Sequence, residues 1–253
     1  MTAKAASRPA ARKKAPSASP ITLAIDIGGT GLKAMLIGPT GKALSERERI
    51  LTPAPATPKA VLAALGQLVA KLPGAPRPAF DRVSVGFPGV TKHGITYNAV
   101  NLHPDWAEFN LQKAVEHRWK KPARVANDAS VQGYGAVKGY GVEMIITLGT
   151  GMGSAIFTDG HLCPGLELGH HPWRKKTYEE YLGIKALKKL GKKLWNKLLQ
   201  EAIAQTAATF NWDHLYLGGG NTHKIDFDLP KNVSIVSNED GLLGGVALWR
   251  DQA

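Results

Sequence analysis

Two matching segments narrow most what this chain can become. "IDIGGTGLKAMLI" (residues 25–37) and "ITLGTGMGSAIF" (residues 146–157) each set a glycine-threonine turn between two apolar runs. Their first turn glycines, Gly28 and Gly149, stand 121 residues apart, about half of the 253-residue chain. Apolar run, glycine turn, apolar run is the pattern of a β-hairpin. Such a unit repeated at half the chain length predicts two similar lobes facing each other across a cleft.

The rest of the chain alternates strand and helix patterns around these hairpins, which makes the class α/β. Ile21–Ile27 and Leu32–Ile37 read as the strands of the first hairpin. Thr57 and Pro58 are a helix cap and a first helical residue, and Val61, Leu65, Leu68 and Leu72 follow at helical spacing. "DRVSVGFPGV" alternates as a strand and breaks at Pro88-Gly89. A short helix over Leu111–Trp119 precedes a strand that ends at Asn127-Asp128. A long helix is predicted to reach about Phe210, followed by the strand "DHLYLGGG" and a closing small-residue helix, "GLLGGVALW".

Charge is localised. Of a net +12, five positive charges lie in residues 1–20, on Lys4, Arg8, Arg12, Lys13 and Lys14. A further +7 lies in residues 174–197, where nine Lys or Arg face only Glu179 and Glu180. A neutral body with two basic patches points to a polyanionic partner. The first twenty residues lack an apolar core and so are not a secretory signal; they read as a flexible basic tail. No apolar stretch approaches the ~20 residues of a membrane span. A single cysteine, Cys163, excludes an intramolecular disulfide and a cysteine-cluster zinc site, and a cytoplasmic home is the simplest expectation.

The first turn is neither a P-loop, since it lacks the Lys-Ser/Thr ending and the helix that motif requires, nor a dinucleotide fingerprint, which also needs a helix where residues 32–37 read as strand. A hairpin whose glycines bare backbone N–H groups can still hold an anion. Thr30 would add a hydroxyl donor, and Asp26 could hold Mg²⁺ directly or through water. For either turn alone, tight-turn chemistry explains the glycines equally well.

"DIGGTGLK", "GFPGV", "NDAS", "TLGTGMGSAIF", "ELGH" and "LGGG" follow in the order seen in the ROK family of sugar kinases and sugar-sensing repressors, and the chain resembles that family over residues 21–253. The branch it is most similar to is that of the bacterial polyphosphate glucokinases. The resemblance implies the two-lobed, duplicated actin/hexokinase-like (ribonuclease H-like) fold. Its N-terminal lobe would span residues 21–126 and its C-terminal lobe 127–253, with the last helix, about 241–253, packing back on the first lobe.

The implied chemistry is phosphoryl transfer to the 6-hydroxyl of glucose, with inorganic polyphosphate or ATP as donor and Mg²⁺ as cofactor. Asp26, Gly28, Gly29, Thr30 and Gly31 would bind donor phosphates, with Lys33 close behind. Thr150, Gly151 and Gly153 would form the opposing loop, and Gly218, Gly219 and Gly220 match the segment that cradles adenosine in ATP-using members. Asn127, Asp128, Glu167 and His170 match the sugar-binding set, with Asp128 the catalytic base. The residues suit this chemistry. Hydroxyls are recognised by convergent carboxylates, amides and imidazoles, and phosphoryl transfer needs positioning plus a carboxylate to accept the hydroxyl proton. The plain alternative for Asn127-Asp128 is a cap on the following helix. A homodimer is common among relatives.

Two departures stand out. The zinc loop of most members is missing from "GHHPWRKKTYEEYLG", so no structural zinc is expected, and the segment carrying the usual second sugar-binding glutamate goes with it. Glu179 or Glu180 could replace that residue, although Thr177 to Glu180 also fits a capping box. The second departure is the run "GIKALKKLGKKLWNKLL", read as one helix with Leu187, Leu190, Leu194 and Leu198 on one face. Its opposite face, with Lys188, Lys189, Lys192 and Lys193, is either simply solvated or a track for polyphosphate.

Two readings from outside catalysis complete the set. A repressor of this family would carry a helix-turn-helix before the first strand, and only twenty residues precede it here. A nucleic-acid binder on a decayed kinase scaffold would not be expected to keep Asp128 with Glu167 and His170.

Overall fold

The structure is a computed structural model in which residues 20–74, 78–99, 102–163, 165–237 and 242–249 are described. The basic tail expected over residues 1–20, save Pro20, and the far end of the closing segment lie outside them. The first sheet is built from β1 (Thr22–Ile27), β2 (Gly31–Ile37), β3 (Glu48–Leu51) and β4 (Arg82–Phe87). A small sheet of β5 (Thr91–Lys92), β6 (Ile95–Thr96) and β7 (Phe109–Asn110) intervenes before β8 (Ala123–Asn127). The second large sheet contains β9 (Val142–Leu148), β10 (Met152–Thr158), β11 (His161–Leu162), β14 (His214–Gly218) and β15 (Val233–Ile235).

The strand orders are β3-β2-β1-β4-β8 and β11-β10-β9-β14-β15. In each sheet a central strand pairs antiparallel with its hairpin partner and parallel with the next strand, which pairs parallel with the last. The two halves therefore share one topology, and each hairpin holds the same place in its sheet. That is the duplicated, two-lobed α/β fold expected from the repeat.

Alternation along β1 sends Leu23, Ile25 and Ile27 into a core with α1 (Pro58–Val69) and α2 (Leu111–Trp119). Ala24 points the other way, with Met35 and Ile37, toward Leu242 and Val246 of the closing segment. Helix α1 starts as its signals predict: Thr57 accepts from the N–H of Ala60 and Pro58 takes the first position. In the second half Met144, Ile146 and Leu148 pack against α4 (Tyr178–Leu182), α5 (Ile184–Leu190) and α6 (Lys192–Phe210). Helix α3 (Asp128–Ala136) joins the halves, touching β4 and β8 on one side and β9, β10 and β14 on the other.

The basic run departs from the sequence reading. It is two helices, because Gly191 adopts φ 79° between α5 and α6. The break turns Leu194 to 45 % exposure while Trp195, Leu198 and Leu199 are buried, so the four leucines do not share one face. The closing segment is a 3₁₀ helix, Gly244–Trp249, whose first glycine approaches other backbone too closely for a side chain. A Cβ on Gly244 would stand 1.9 Å from the Val131 carbonyl oxygen. This helix docks on β1 and β4, where Ser84 donates to the Gly245 carbonyl at 2.5 Å.

After the Glu167 to His170 segment, the chain folds a hairpin of β12 (Pro172–Trp173) and β13 (Lys176–Thr177). The Trp173 ring stacks on Tyr178 at 4.7 Å and meets Tyr181 edge-on at 5.3 Å. Aromatic packing ties this segment to the second core.

Candidate active site

A cleft of about 630 Å³ opens between the two sheets, and both glycine turns face it. In the first, Gly28 N–H donates to the Gly31 carbonyl at 3.1 Å, and Thr52 Oγ1 donates to the Gly28 carbonyl at 2.5 Å. Strand register sets Lys33 opposite Asp26, and Lys33 Nζ donates to Asp26 Oδ2 at 2.7 Å. In the second, Gly149 N–H donates to the Gly151 carbonyl at 3.0 Å, and Ile184 N–H donates to the Gly149 carbonyl at 3.0 Å. Asn221 Nδ2 donates to the same Gly149 oxygen at 2.8 Å.

The floor of the cleft is the first turn of α3. Asn127 ends β8 and caps that helix, its Oδ1 accepting from Ala129 N–H at 2.8 Å while its Nδ2 donates to the Gly89 carbonyl at 3.2 Å. Cap and cleft positions thus coincide at Asn127. Asp128 follows at the first helical position and also accepts from Ala129 N–H, at 2.7 Å. Burial and the neighbouring charge of Asp26 push its carboxyl up to about 7; Glu167 adds to the rise, against the Ala129 hydrogen bond and Lys33.

Glu167 and His170 flank a 3₁₀ turn, Leu168–His170. Three residues per turn bring positions three apart onto one edge, so both side chains reach the cleft. The turn is seated by Ser154, whose Oγ donates to the Leu166 carbonyl at 3.0 Å and accepts from Leu168 N–H at 3.2 Å. Gly169 must be glycine here, since a Cβ would lie 2.2 Å from the Met152 carbonyl oxygen. The Glu167 carboxyl is raised by burial and by Glu179, with His170 opposing.

The two candidates for a second glutamate separate. Glu180 closes the capping box with Thr177: Thr177 Oγ1 accepts from Glu180 N–H at 3.3 Å and Glu180 Oε2 accepts from Thr177 N–H at 3.1 Å. Glu179 turns into the cleft and accepts from Met152 N–H at 3.2 Å.

Of the sequence-derived donor set, Asp26, Gly28, Gly29, Thr30, Gly31 and Lys33 line the cleft, as do Thr150, Gly151, Gly153, Gly219 and Gly220. Gly218 does not; it ends β14, buried against Gln132. Among the four track lysines only Lys188 lines the cleft, and Lys192 is drawn away to Asp226 at 2.8 Å. Arg49, Asn98 and Asn221 line it too, and no motif in the sequence marks them.

Among the described residues no cluster of three or more His, Cys, Asp or Glu is grouped to hold a metal. Magnesium asks for less, since one or two carboxylates suffice when substrate phosphates supply the other ligands. Asp26 fits that donor set: one oxygen pairs with Lys33 and the carboxylate lies beside the phosphate hairpin.

Two like halves closing on a cleft between paired glycine hairpins are the architecture of the actin/hexokinase-like fold. Within it the chain belongs to the ROK family, which residues 22–182 match. It is 32 % identical over 217 residues to the polyphosphate glucokinase of Mycobacterium tuberculosis strain H37Ra, covering 81 % of this chain and 80 % of that protein. Among solved structures it is similar to the inorganic polyphosphate/ATP-glucomannokinase of Arthrobacter sp. strain KM, with a TM-score of 0.82 and 32 % identity over 91 % of this chain and 99 % of the other. The glucokinase of Streptomyces griseus, solved with glucose and AMPPNP, shares the fold at a TM-score of 0.71 and 22 % identity, over 90 % and 98 % of the two chains.

Proposed function

We propose that the protein is a glucokinase that transfers a phosphoryl group from inorganic polyphosphate, with ATP as a second donor, to the 6-hydroxyl of glucose. The observation that carries this reading is the Asp128 carboxyl, pushed up to about 7 on the cleft floor between two glycine turns. Its affinity for a proton is matched to accepting one near neutral pH. The 32 % identity to a polyphosphate glucokinase supports polyphosphate as the donor.

In the proposed reaction Asn127, Glu167, His170 and Glu179 orient the sugar through its hydroxyls. Asp128 takes the proton of the 6-hydroxyl as that oxygen bonds to the terminal phosphorus. The bond from phosphorus to the bridging oxygen breaks, and the shortened polyphosphate leaves with the electron pair. Backbone N–H groups of the Gly28–Gly31 and Gly149–Gly151 turns, with Thr30 and Thr150, hold the phosphate oxygens. Asp26 would hold Mg²⁺, directly or through water, where the ion neutralises charge on the donor phosphates when bound.

A cytoplasmic location and a homodimer complete the proposal; among the described residues no helix is long and apolar enough to cross a membrane. A second reading keeps the fold but makes ATP the donor and glucose, mannose or an amino sugar the acceptor. Gly219 and Gly220 in the cleft wall favour it. Glucose phosphorylation assayed side by side with polyphosphate and with ATP decides between them. Turnover with polyphosphate is the expected result, and turnover with ATP alone overturns the first reading.

A further inference from the structure

Each glycine turn has one long cation beside it that comes from outside the turn. Arg49 stands on edge strand β3 in register with Lys33, and its guanidinium donates to the Thr30 carbonyl at 3.5 Å. It lies so close over the hairpin that a Cβ on Gly31 would meet Nε and Nη2 at 2.8 Å. Lys188 belongs to α5, four residues after Ile184, whose N–H is bonded to the second turn. Residues four apart share a helix face, so the face docked on that turn also carries Lys188 to the cleft.

Both side chains line the cleft and both are exposed, which sets them at its solvent edge. Among the described residues neither makes an ion pair, whereas Lys33 is paired with Asp26 and Lys192 with Asp226. The transferred phosphoryl group does not need them, since in the proposed reaction the turn N–H groups with Thr30 and Thr150 hold it. A guanidinium with unused forked donors and a mobile-stemmed ammonium, one on each lobe, suit further phosphates outside the reacting centre.

We propose that Arg49 and Lys188 form a two-sided gate that receives the phosphates behind the transferred group in an inorganic polyphosphate chain, and so sets the preference for long donors. The proposal rests on polyphosphate being the donor. Polyphosphate carries about one negative charge per phosphate, and each cation that engages it releases a counterion, so its capture is salt-dependent.

The test compares tripolyphosphate with a long-chain polyphosphate of several tens of units for the wild type and for Arg49→Gln, Lys188→Gln, the double variant and Arg49→Lys. Each glutamine variant should lose about three- to tenfold more kcat/KM on the long donor than on tripolyphosphate, and the double variant more than either. The slope of log kcat/KM against log salt on the long donor should shrink by about one for each cation removed. Arg49→Lys should keep that slope, which separates charge from packing over the hairpin. Equal losses on both donors, or an unchanged slope, overturn the gate while leaving the donor reading intact. A wild type that phosphorylates glucose from ATP but from neither polyphosphate overturns the donor reading and the gate together.

Discussion

Asp128 is costly to the fold for the same reason that it suits the proposed chemistry. Its carboxyl titrates at about 7, whereas an unperturbed one titrates near 3.8. Between those values the folded protein binds more protons than the unfolded chain, so stability falls as pH rises through that window. Asp128→Asn removes the penalty. The variant should be more stable by about 1–3 kcal/mol at pH 8, with the gain vanishing toward pH 4, as read from denaturant melts at both pH values. Its turnover should drop by about 10²–10⁴-fold, the usual share of a general base. For the wild type, kcat/KM should decline about tenfold per pH unit below 7, where the base becomes protonated. Asp128 is legible in the sequence because it stands where an apolar strand stops, within "NDAS"; its raised pKa is not, because it comes first from burial in the fold and then from Asp26, 102 residues away in the chain.

At the scale of elements, local signals were strong where a backbone rule operates. The cap of α1, the capping box of α4 and the 3₁₀ turn joining Glu167 to His170 all follow from short-range spacing. The capping box also divides labour between adjacent carboxylates, since satisfying the helix start with Glu180 leaves Glu179 to point across the cleft. Glu180→Ala should therefore cost about 1 kcal/mol of stability with sugar affinity retained. Glu179→Ala should raise the KM for glucose about tenfold or more, as loss of a charged hydrogen bond to the sugar would. Steady-state kinetics with a thermal melt separates the two, and a reversed pattern assigns the residues the other way. The basic run shows where local reading stops: leucine spacing continued through Gly191, but that glycine's left-handed backbone ends one helix and re-aims the next.

Across the whole molecule, the last described segment, Gly244–Trp249, returns to the first sheet. Trp249 Nε1 donates to Ser84 Oγ at 2.9 Å, and its ring lies 5.1 Å from the Arg82 guanidinium and 4.9 Å from that of Arg124. Arg124 also donates to the Leu248 carbonyl. These contacts tie a C-terminal segment to the N-terminal sheet, so the cleft is framed by elements from both ends of the sequence. Trp249→Ala should lower unfolding free energy by about 2–3 kcal/mol through lost packing and cation–π contact. Denaturant unfolding measures this, and an unchanged midpoint would show that the closing segment adds nothing to the fold.

The two hairpins, their duplication, the starts of α1, α2 and α4 and the residue types at the cleft are legible in the sequence alone. Each depends on neighbours a few positions apart, or on a repeat that needs no geometry to be seen. Tertiary structure alone decided which cations reach the cleft. Exposed lysines on a helix are equivalent in a sequence, and only the docking of α5 on the Gly149 turn singles out Lys188. It also brought in Arg49, whose strand carries no motif and whose position over the first turn comes from long-range strand pairing. Side-chain chemistry is local, but the direction a side chain faces is set by what its element packs against.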